Sequence, residues 1–338
     1  MKKYNIAILG ATGAVGRTMI RIIEEYNIPV GELRLLASAK SEGMTESFRG
    51  EKLVVHEAKE NSFFGMDFVL GAVSAKLSRF FAPAISLSGA VYIDNSSAFR
   101  HDPDVPLVVP EINGEDALNH SGVIANPNCS TIITLMAIAA LAKRCEIVSI
   151  NASTYQAVSG AGQAGIDALE AEEQAISRYD LPPRKTIFPM QIIENVIPHI
   201  GDKMDNGYTT EEMKMQNEGR KILHLPQLTA TCTCVRVPVF RSHSISLTVR
   251  CAEKIEPDEA NRLIAACPGV RLVDDIDGRD YPTPLDTTGQ DLVYVGRVRR
   301  DLTDEKGLVI WCCGDQLRKG AAANAVQIMK YLIEHENV

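Results

Sequence analysis

Apolar and polar positions alternate in two different rhythms along this chain. Asn5-Ile6-Ala7-Ile8-Leu9 is a short apolar run closed by Gly10, the pattern of a strand buried on both faces of a parallel sheet. Residues 13–26 then show helical spacing, with Val15, Met19, Ile22 and Ile23 on one face. Further runs predict strands at 33–37, 67–72, 91–93 and 107–109, and 123–125 leads into a break at Asn126-Pro127. This alternation predicts a Rossmann-type, doubly wound parallel sheet over about the first 125 residues.

The rhythm then changes. A long helix over 130–143 leads into a strand at 147–154, a Gly-rich loop at 159–165 and an acidic helix ending near Tyr179. Residues 180–208, rich in Pro, Gly and Asn, read as extended loop. Thr209 or Thr210 suits a helix N-cap, with Glu211 and Glu212 in the first turn, where the dipole favours negative charge. Long β-like runs at 228–239, 244–250, 292–300 and 308–313 predict a mostly antiparallel sheet. The last helix, 318–335, carries Ala322, Val326, Met329 and Ile333 on one face. The expected organisation is an α/β chain of two domains. Residues 1–128 with 318–338 form a nucleotide-binding domain, and 129–317 form an α+β catalytic and dimerisation domain.

Composition adds mainly exclusions. With 338 residues, 45% hydrophobic and 23% charged, the chain is of ordinary globular make-up. Its net charge of −8, from 43 acids and 35 bases, disfavours nucleic acid as a partner. The longest nearly apolar run, 132–142, is too short to span a bilayer. The first strand-like run follows directly on Met1-Lys2-Lys3-Tyr4, so the expectation is a cytoplasmic protein with no signal peptide. The eight cysteines, at 129, 145, 232, 234, 251, 267, 312 and 313, show no zinc-site spacing. They are expected to be reduced thiols, mostly small core hydrophobes, with no metal site.

Two segments carry candidate chemistry. Gly10-Ala11-Thr12-Gly13-Ala14-Val15-Gly16 lies between the first strand and the first helix. There the turn must be tight, the backbone must approach a pyrophosphate, and the helix N-terminus offers unsatisfied N–H groups. The spacing is GxxGxxG rather than GxGxxG; the bland alternative is a purely structural turn. The second strand ends in Ala37-Ser38-Ala39-Lys40-Ser41, without the acid that usually holds a ribose 2′-hydroxyl. A Lys between hydroxyls suits a 2′-phosphate, so Ser38, Lys40 and Ser41 predict NADP over NAD. The second segment is Asn126-Pro127-Asn128-Cys129-Ser130-Thr131. A Cys at the head of a helix has its thiolate favoured by the dipole, and it follows the end of a parallel strand, where open α/β sheets place ligands.

A thiolate needs a proton partner. His243, expected between two strands, is a candidate, although an isolated strand-end His is more often structural. Arg236 and Arg241 alternate with apolar residues, so a cationic side chain there can face a cleft and grip a carboxylate. Glu211 and Lys214 are i, i+3 on one helix face, for which the bland reading is a surface salt bridge.

Taken together these segments resemble the aspartate-β-semialdehyde dehydrogenase family over nearly the whole chain. The resemblance is most specific in Asn126–Thr131, in Glu211-Glu212-Met213-Lys214, and in Arg236-Val237-Pro238-Val239 leading to His243-Ser244. It implies an NADPH-dependent reductive dephosphorylation of L-aspartyl 4-phosphate to L-aspartate 4-semialdehyde, at the entrance to lysine, threonine, methionine and isoleucine synthesis. It implies Cys129 as acyl-accepting nucleophile, His243 as general acid/base and Gln156 as the residue that positions substrate and thioester. Arg236 would bind the substrate α-carboxylate and Glu211 its α-ammonium. Arg100, in Ser96-Ser97-Ala98-Phe99-Arg100, would bind phosphate with Lys214 and Asn128. Ser159, Gly160 and Gln316 would line the nicotinamide, and relatives form homodimers. Phe240-Arg241-Ser242 lacks the Gly seen in relatives that share Arg-Val-Pro-Val, which leaves the role of Arg241 open. Two rival readings stand beside this one: N-acetyl-glutamyl-phosphate reductase, whose acylated amine needs no carboxylate at Glu211, and a non-catalytic NADP-binding redox sensor.

Overall fold

The computed structural model describes residues 2–183 and 186–335. They fold as two compact units. One holds the residues up to Asn128 and those from Ala321 onward, the other Cys129–Gly320.

The first unit is built on seven strands: β1 (Tyr4–Leu9), β2 (Val30–Ala37), β3 (Thr45–Phe48), β4 (Glu51–Glu57), β5 (Phe68–Gly71), β6 (Val91–Asp94) and β7 (Val123–Ala125). Their order is β3-β4-β2-β1-β5-β6-β7, parallel except for the β3–β4 hairpin. The order reverses on either side of β1, the point at which open α/β sheets bind ligands. Helix Ala14–Glu25 buries Met19, Ile22 and Ile23 in a core shared with Ile6 and Ile8. The far end of the chain closes the same core, because helix Ala323–His335 adds Val326, Ile328, Met329 and Leu332 to it.

Several elements depart from the sequence expectation. The run 107–109 is not a strand: it makes a single parallel bridge, Leu107 to Ala125. Pro106 lacks an N–H, and Pro110 already opens a helical turn, Pro110–Asn113, so a ladder cannot extend. β2 begins at Val30 because exposed Gly31 and Glu32 still lie in the ladder beside β1. The β3–β4 hairpin and helix Ala75–Ser88 were not read from the pattern; β3 and β4 are largely exposed, so little apolar alternation marks them. The final helix opens with a π-turn, Arg318–Ala322.

The second unit holds β8 (Ile147–Gln156), β9 (Thr229–Arg236), β10 (His243–Cys251), β11 (Val270–Leu272), β12 (Val293–Arg300) and β13 (Gly307–Gly314). The order is β11-β12-β13-β10-β8-β9, with the three central pairings antiparallel and the two outer ones parallel. Helix Cys129–Arg144 is almost entirely buried and packs on β8, β10, β12 and β13. Helix Thr210–Ile222 lies on β9, its start fixed by a reciprocal cap between Thr209 and Glu212. On the opposite sheet face Asn151, Tyr155, Thr229, Thr231 and Thr233 stay exposed.

The tight approach of the first helix to its strand gives a stability test. A β-carbon on Gly16 would lie 2.2 Å from the Gly10 carbonyl oxygen, whereas one on Gly13 meets nothing nearer than 3.5 Å. Gly16→Val should lower the free energy of urea unfolding by about 1–3 kcal/mol, and Gly13→Ala should change it by less than about 0.5 kcal/mol.

Candidate functional site

In the first unit the glycine loop shapes a cleft. Gly10 turns at φ 94°, and its absent β-carbon would collide with the Ala72 carbonyl at 2.4 Å. Gly13 caps the helix and brings no side chain of its own over the N–H groups of the first turn. Gly10, Thr12, Gly13, Ser38, Ala72 and Val73 line a space of about 470 Å³. A dinucleotide's pyrophosphate fits such a helix head, with its adenosine against the end of β2. Ala14 and Val15 are the first two helical residues, with Val15 packed on the core. Ser41 Oγ lies 3.3 Å from Thr12 Oγ1, and Lys40 is exposed beside it on the short turn Ala39–Ser41. The same cleft has an acid that the sequence reading missed. Glu57, at the end of β4 beside Ala37, lines it and pairs with Lys59 at 3.1 Å.

At the carboxyl ends of β5 to β7 a chain of amides fixes the segment before the thiol. Asn95 donates to the Gly71 carbonyl (2.8 Å), Asn126 to Asn95 Oδ1 (3.0 Å), and Asn324 to Asn126 Oδ1 (2.7 Å) and the Val108 carbonyl (2.9 Å). Arg100 donates to the carbonyls of Asn126 (2.9 Å) and Asn95 (2.7 Å), and it is buried, as is Asn128.

In the second unit Cys129 is the first residue of its helix. Its Sγ lies 3.4 Å from His243 Nε2. Gly320 permits this arrangement: a β-carbon there would come within 2.9 Å of Cys129 Cβ, and the π-turn that contains Gly320 lays bare backbone against the cysteine. His243 is the first residue of β10 rather than a residue between strands, and it is completely buried. The Ala157 amide donates to its Nδ1 at 3.1 Å. In the neutral ring the proton therefore sits on Nε2, facing the sulfur. Burial, reinforced by the nearby Arg236 cation, depresses the His243 pKa to about 3 against the usual 6.5; the negative charge of Glu211 opposes this.

Arg236 ends β9, is nearly buried, and donates from Nη1 to the Ala157 carbonyl at 2.6 Å. Burial lowers its pKa, and the negative neighbours Cys129 and Glu211 push the other way. It also lines a pocket of about 330 Å³ with Phe188, Ile197 and His199. Gln156 closes β8; its amide oxygen accepts from Thr154 (2.9 Å), which turns Nε2 toward Glu211 Oε1 (3.3 Å). Glu211 pairs with Lys214 at 2.6 Å. With the Glu211 side chain only 9% exposed, this is a half-buried link to Gln156 rather than a solvated surface pair. Gly160 has no room for a side chain, since a β-carbon would lie 2.7 Å from Arg236 Nη1 and 3.2 Å from the His243 ring. Ser159 and Gln316 are hydrogen-bonded to each other, and Ser159 Oγ also donates to the Phe240 carbonyl. The two arginines of the Arg236–Arg241 segment separate: Arg236 meets Ala157, while Arg241 pairs with Asp315 at 2.8 Å.

The second unit thus gathers Cys129, His243, Gln156, Arg236, Glu211, Lys214, Ser159, Gly160 and Gln316; the glycine loop, Ser38, Lys40, Ser41, Arg100 and Asn128 belong to the first. Thr154, the Ala157 amide, Asn324 and Asp315 were missed. Only Asp315 had a signal, its place in Gly314-Asp315-Gln316-Leu317. Among the described residues no group of His, Cys, Asp or Glu is arranged to hold a metal ion, and no helix is long and apolar enough to cross a membrane.

Comparison with known proteins gives the same picture over the full length. Residues 5–120 match the family model for the semialdehyde dehydrogenase NAD binding domain, and residues 138–319 match the semialdehyde dehydrogenase dimerisation domain. The chain is 45% identical to an aspartate-semialdehyde dehydrogenase of Aquifex aeolicus over 334 residues, covering 98% of both chains. It is 46% identical to one of Synechocystis over 329 residues, covering 97% of both. A solved structure of aspartate semialdehyde dehydrogenase II from Vibrio cholerae, complexed with ASA, superposes with a TM-score of 0.95 at 41% identity, covering 99% of this chain and all of that one. With these likenesses spanning both units, the chain belongs to the aspartate-semialdehyde dehydrogenase family.

Proposed function

We propose that Cys129 carries the reaction of this family as an aspartyl thioester, interconverting L-aspartyl 4-phosphate and L-aspartate 4-semialdehyde, with NADP as cofactor. The observation that supports this most directly is the 3.4 Å contact between Cys129 Sγ and His243 Nε2 at the head of a helix. The thiolate attacks the acyl-phosphate carbonyl carbon; a C–S bond forms, the C–O bond to phosphate breaks, and hydrogen phosphate leaves, carrying the proton given up when the thiol ionised. NADPH, when bound, supplies the hydride that reduces the thioester. His243 enters as a neutral ring. Its Nε2–H steadies the thiolate, then the oxygen that gains charge, and then the departing sulfur as the aldehyde is released. No imidazolium is required, and a depressed pKa is what such a donor needs.

Arg236 is assigned the substrate α-carboxylate, and Glu211 the α-ammonium. A carboxylate at Glu211 favours a free amino acid over the N-acetylated substrate of the sister reductase. Gln156, oriented by Thr154, is assigned to hold the thioester carbonyl. Ser159, Gly160 and Gln316 are assigned to the nicotinamide, and phosphate to Arg100, Lys214 and Asn128, on the resemblance. NADP is favoured over NAD by Ser38, Lys40 and Ser41 at the end of β2; Glu57 opposes it but is already paired with Lys59. We further assign the Ser/Thr-rich sheet face of the second unit to a homodimer contact. Its paired rows Asn151–Thr231 and Ser153–Thr233 offer a wide, flat surface.

Four experiments test this. Wild-type protein given aspartate semialdehyde and NADP without phosphate should show an aspartyl adduct on Cys129 by mass spectrometry. Cys129→Ser should lose at least about 1,000-fold in turnover while binding NADPH as wild type does, and more tightly than NADH. A missing adduct, or equal binding of NADH, goes against the reading. Sedimentation should give a dimer, and Thr231→Arg should weaken it; a wild-type monomer would remove the dimer. Because His243 takes up its proton far more readily unfolded (about 6.5) than folded (about 3), the unfolded chain binds more protons between those values. Wild-type stability should therefore fall as pH drops below about 6.5, by up to about 1.4 kcal/mol per pH unit. Urea titrations at pH 7.5 and 5 should show this fall to be smaller in His243→Asn; parallel behaviour would mean that the ring is not held neutral.

A further inference from the structure

The ladder between β10 and β13 ends at the pair His243–Gly314. Past that pair the chains stay joined through side chains. Asp315 is fully buried, and its Oδ2 meets Arg241 Nε at 2.8 Å, an ion pair rather than an aligned hydrogen bond. The same oxygen accepts from the Gly289 amide at 2.7 Å, and Oδ1 accepts from the amides of Leu317 (2.9 Å) and Arg318 (3.1 Å). The next residue, Gln316, accepts the Ser242 amide at 2.8 Å and donates to Ser159, which donates to the Phe240 carbonyl. Phe240, Arg241 and Ser242 are each tied to this cluster, and they are the three residues that deliver His243.

Ser242 needs the restraint. It is buried and stands at φ 72°, in the left-handed region where a β-carbon crowds the following carbonyl and where glycine alone is at ease. A strained turn persists only where its surroundings over-determine it. We propose that Asp315 is a positioning residue for His243: by gripping Arg241, while Gln316 beside it grips the Ser242 amide, it imposes the turn at Ser242 that aims the imidazole at Cys129. The Arg241 side chain, 26% exposed, thereby serves to hold the loop and not to bind substrate. The inference rests on His243 serving the reaction proposed above.

Asp315→Asn keeps the size of the side chain and removes its charge. The expected result is a fall in kcat of about 10- to 100-fold, with the KM for aspartate semialdehyde and NADP changed by less than about 3-fold. Arg241→Gln should fall similarly, and the double variant no further than either alone. The decisive arm is rescue. Adding Ser242→Gly to Asp315→Asn should recover most of the lost kcat, because glycine takes the turn without being held. Wild-type kcat in Asp315→Asn, or a loss that Ser242→Gly does not relieve, overturns the proposal. Should Asp315→Asn fail to fold, Arg241→Gln with and without Ser242→Gly carries the same test. A readout free of turnover separates this proposal from the reaction. The pH profile of Cys129 alkylation by iodoacetamide should shift in His243→Ala, shift the same way in Asp315→Asn, and return with Ser242→Gly. Those shifts in the variants, together with a wild-type protein that shows no turnover, would retain the clamp and reject the reaction; an unmoved profile in Asp315→Asn rejects the clamp itself.

Discussion

A ring as thoroughly buried as His243 keeps one charge state only if both nitrogens have fixed partners, and here they do. The Ala157 amide occupies Nδ1, and the Cys129 sulfur faces Nε2. An imidazolium would set a second N–H against the Ala157 amide and a cation beside Arg236, in a place water does not reach. These penalties act together, so the ring stays neutral and its single proton points at the Cys129 sulfur. The rest of the second unit follows from this constraint. Gly160 has no side chain because one would displace the ring or Arg236. Arg236 turns its Nη1 to the carbonyl of Ala157, the residue whose amide holds the ring. The π-turn at Arg318–Ala322 lets Gly320 pass close behind the cysteine.

A helix head and the guanidinium of Arg236 both favour a negative sulfur, and both are built into the backbone scaffold rather than into mobile loops. Glu211 tempers that field and is itself tempered by Lys214. The chain is an oxidoreductase of aspartate-family amino-acid biosynthesis.

Much of this was legible in the sequence, for identifiable reasons. The first strand and helix announce themselves because β1 is buried on both sides and its helix has one apolar face. The thiol segment and the Glu211 helix stand out because break, cap and first-turn charges sit in adjacent positions. What escaped was of two kinds. The exposed β3–β4 hairpin has no core side to betray it, and 107–109 looks like a strand until the prolines on either side are counted as missing or diverted donors. The other kind is contact between distant residues. Nothing in one dimension shows that Thr154 orients Gln156, that Asn324 reaches Asn126, or that Asp315 stands under Arg241. The separation of Arg236 from Arg241 belongs here as well, since their alternation with apolar neighbours left either free to serve the cleft.

The reach of Asn324 bears on how the protein is made. The helix that follows the second unit supplies Val326, Ile328, Met329 and Leu332 to a core whose earlier-translated members include Ile6, Ile8 and Met19. A nascent chain leaves the ribosome from its N-terminus. The parallel sheet of the first unit must therefore wait, one wall missing, until the whole of the intervening unit has emerged. The same late arrival brings the amide that pins Asn126, so the segment leading into Cys129 is locked only after the second unit has been made.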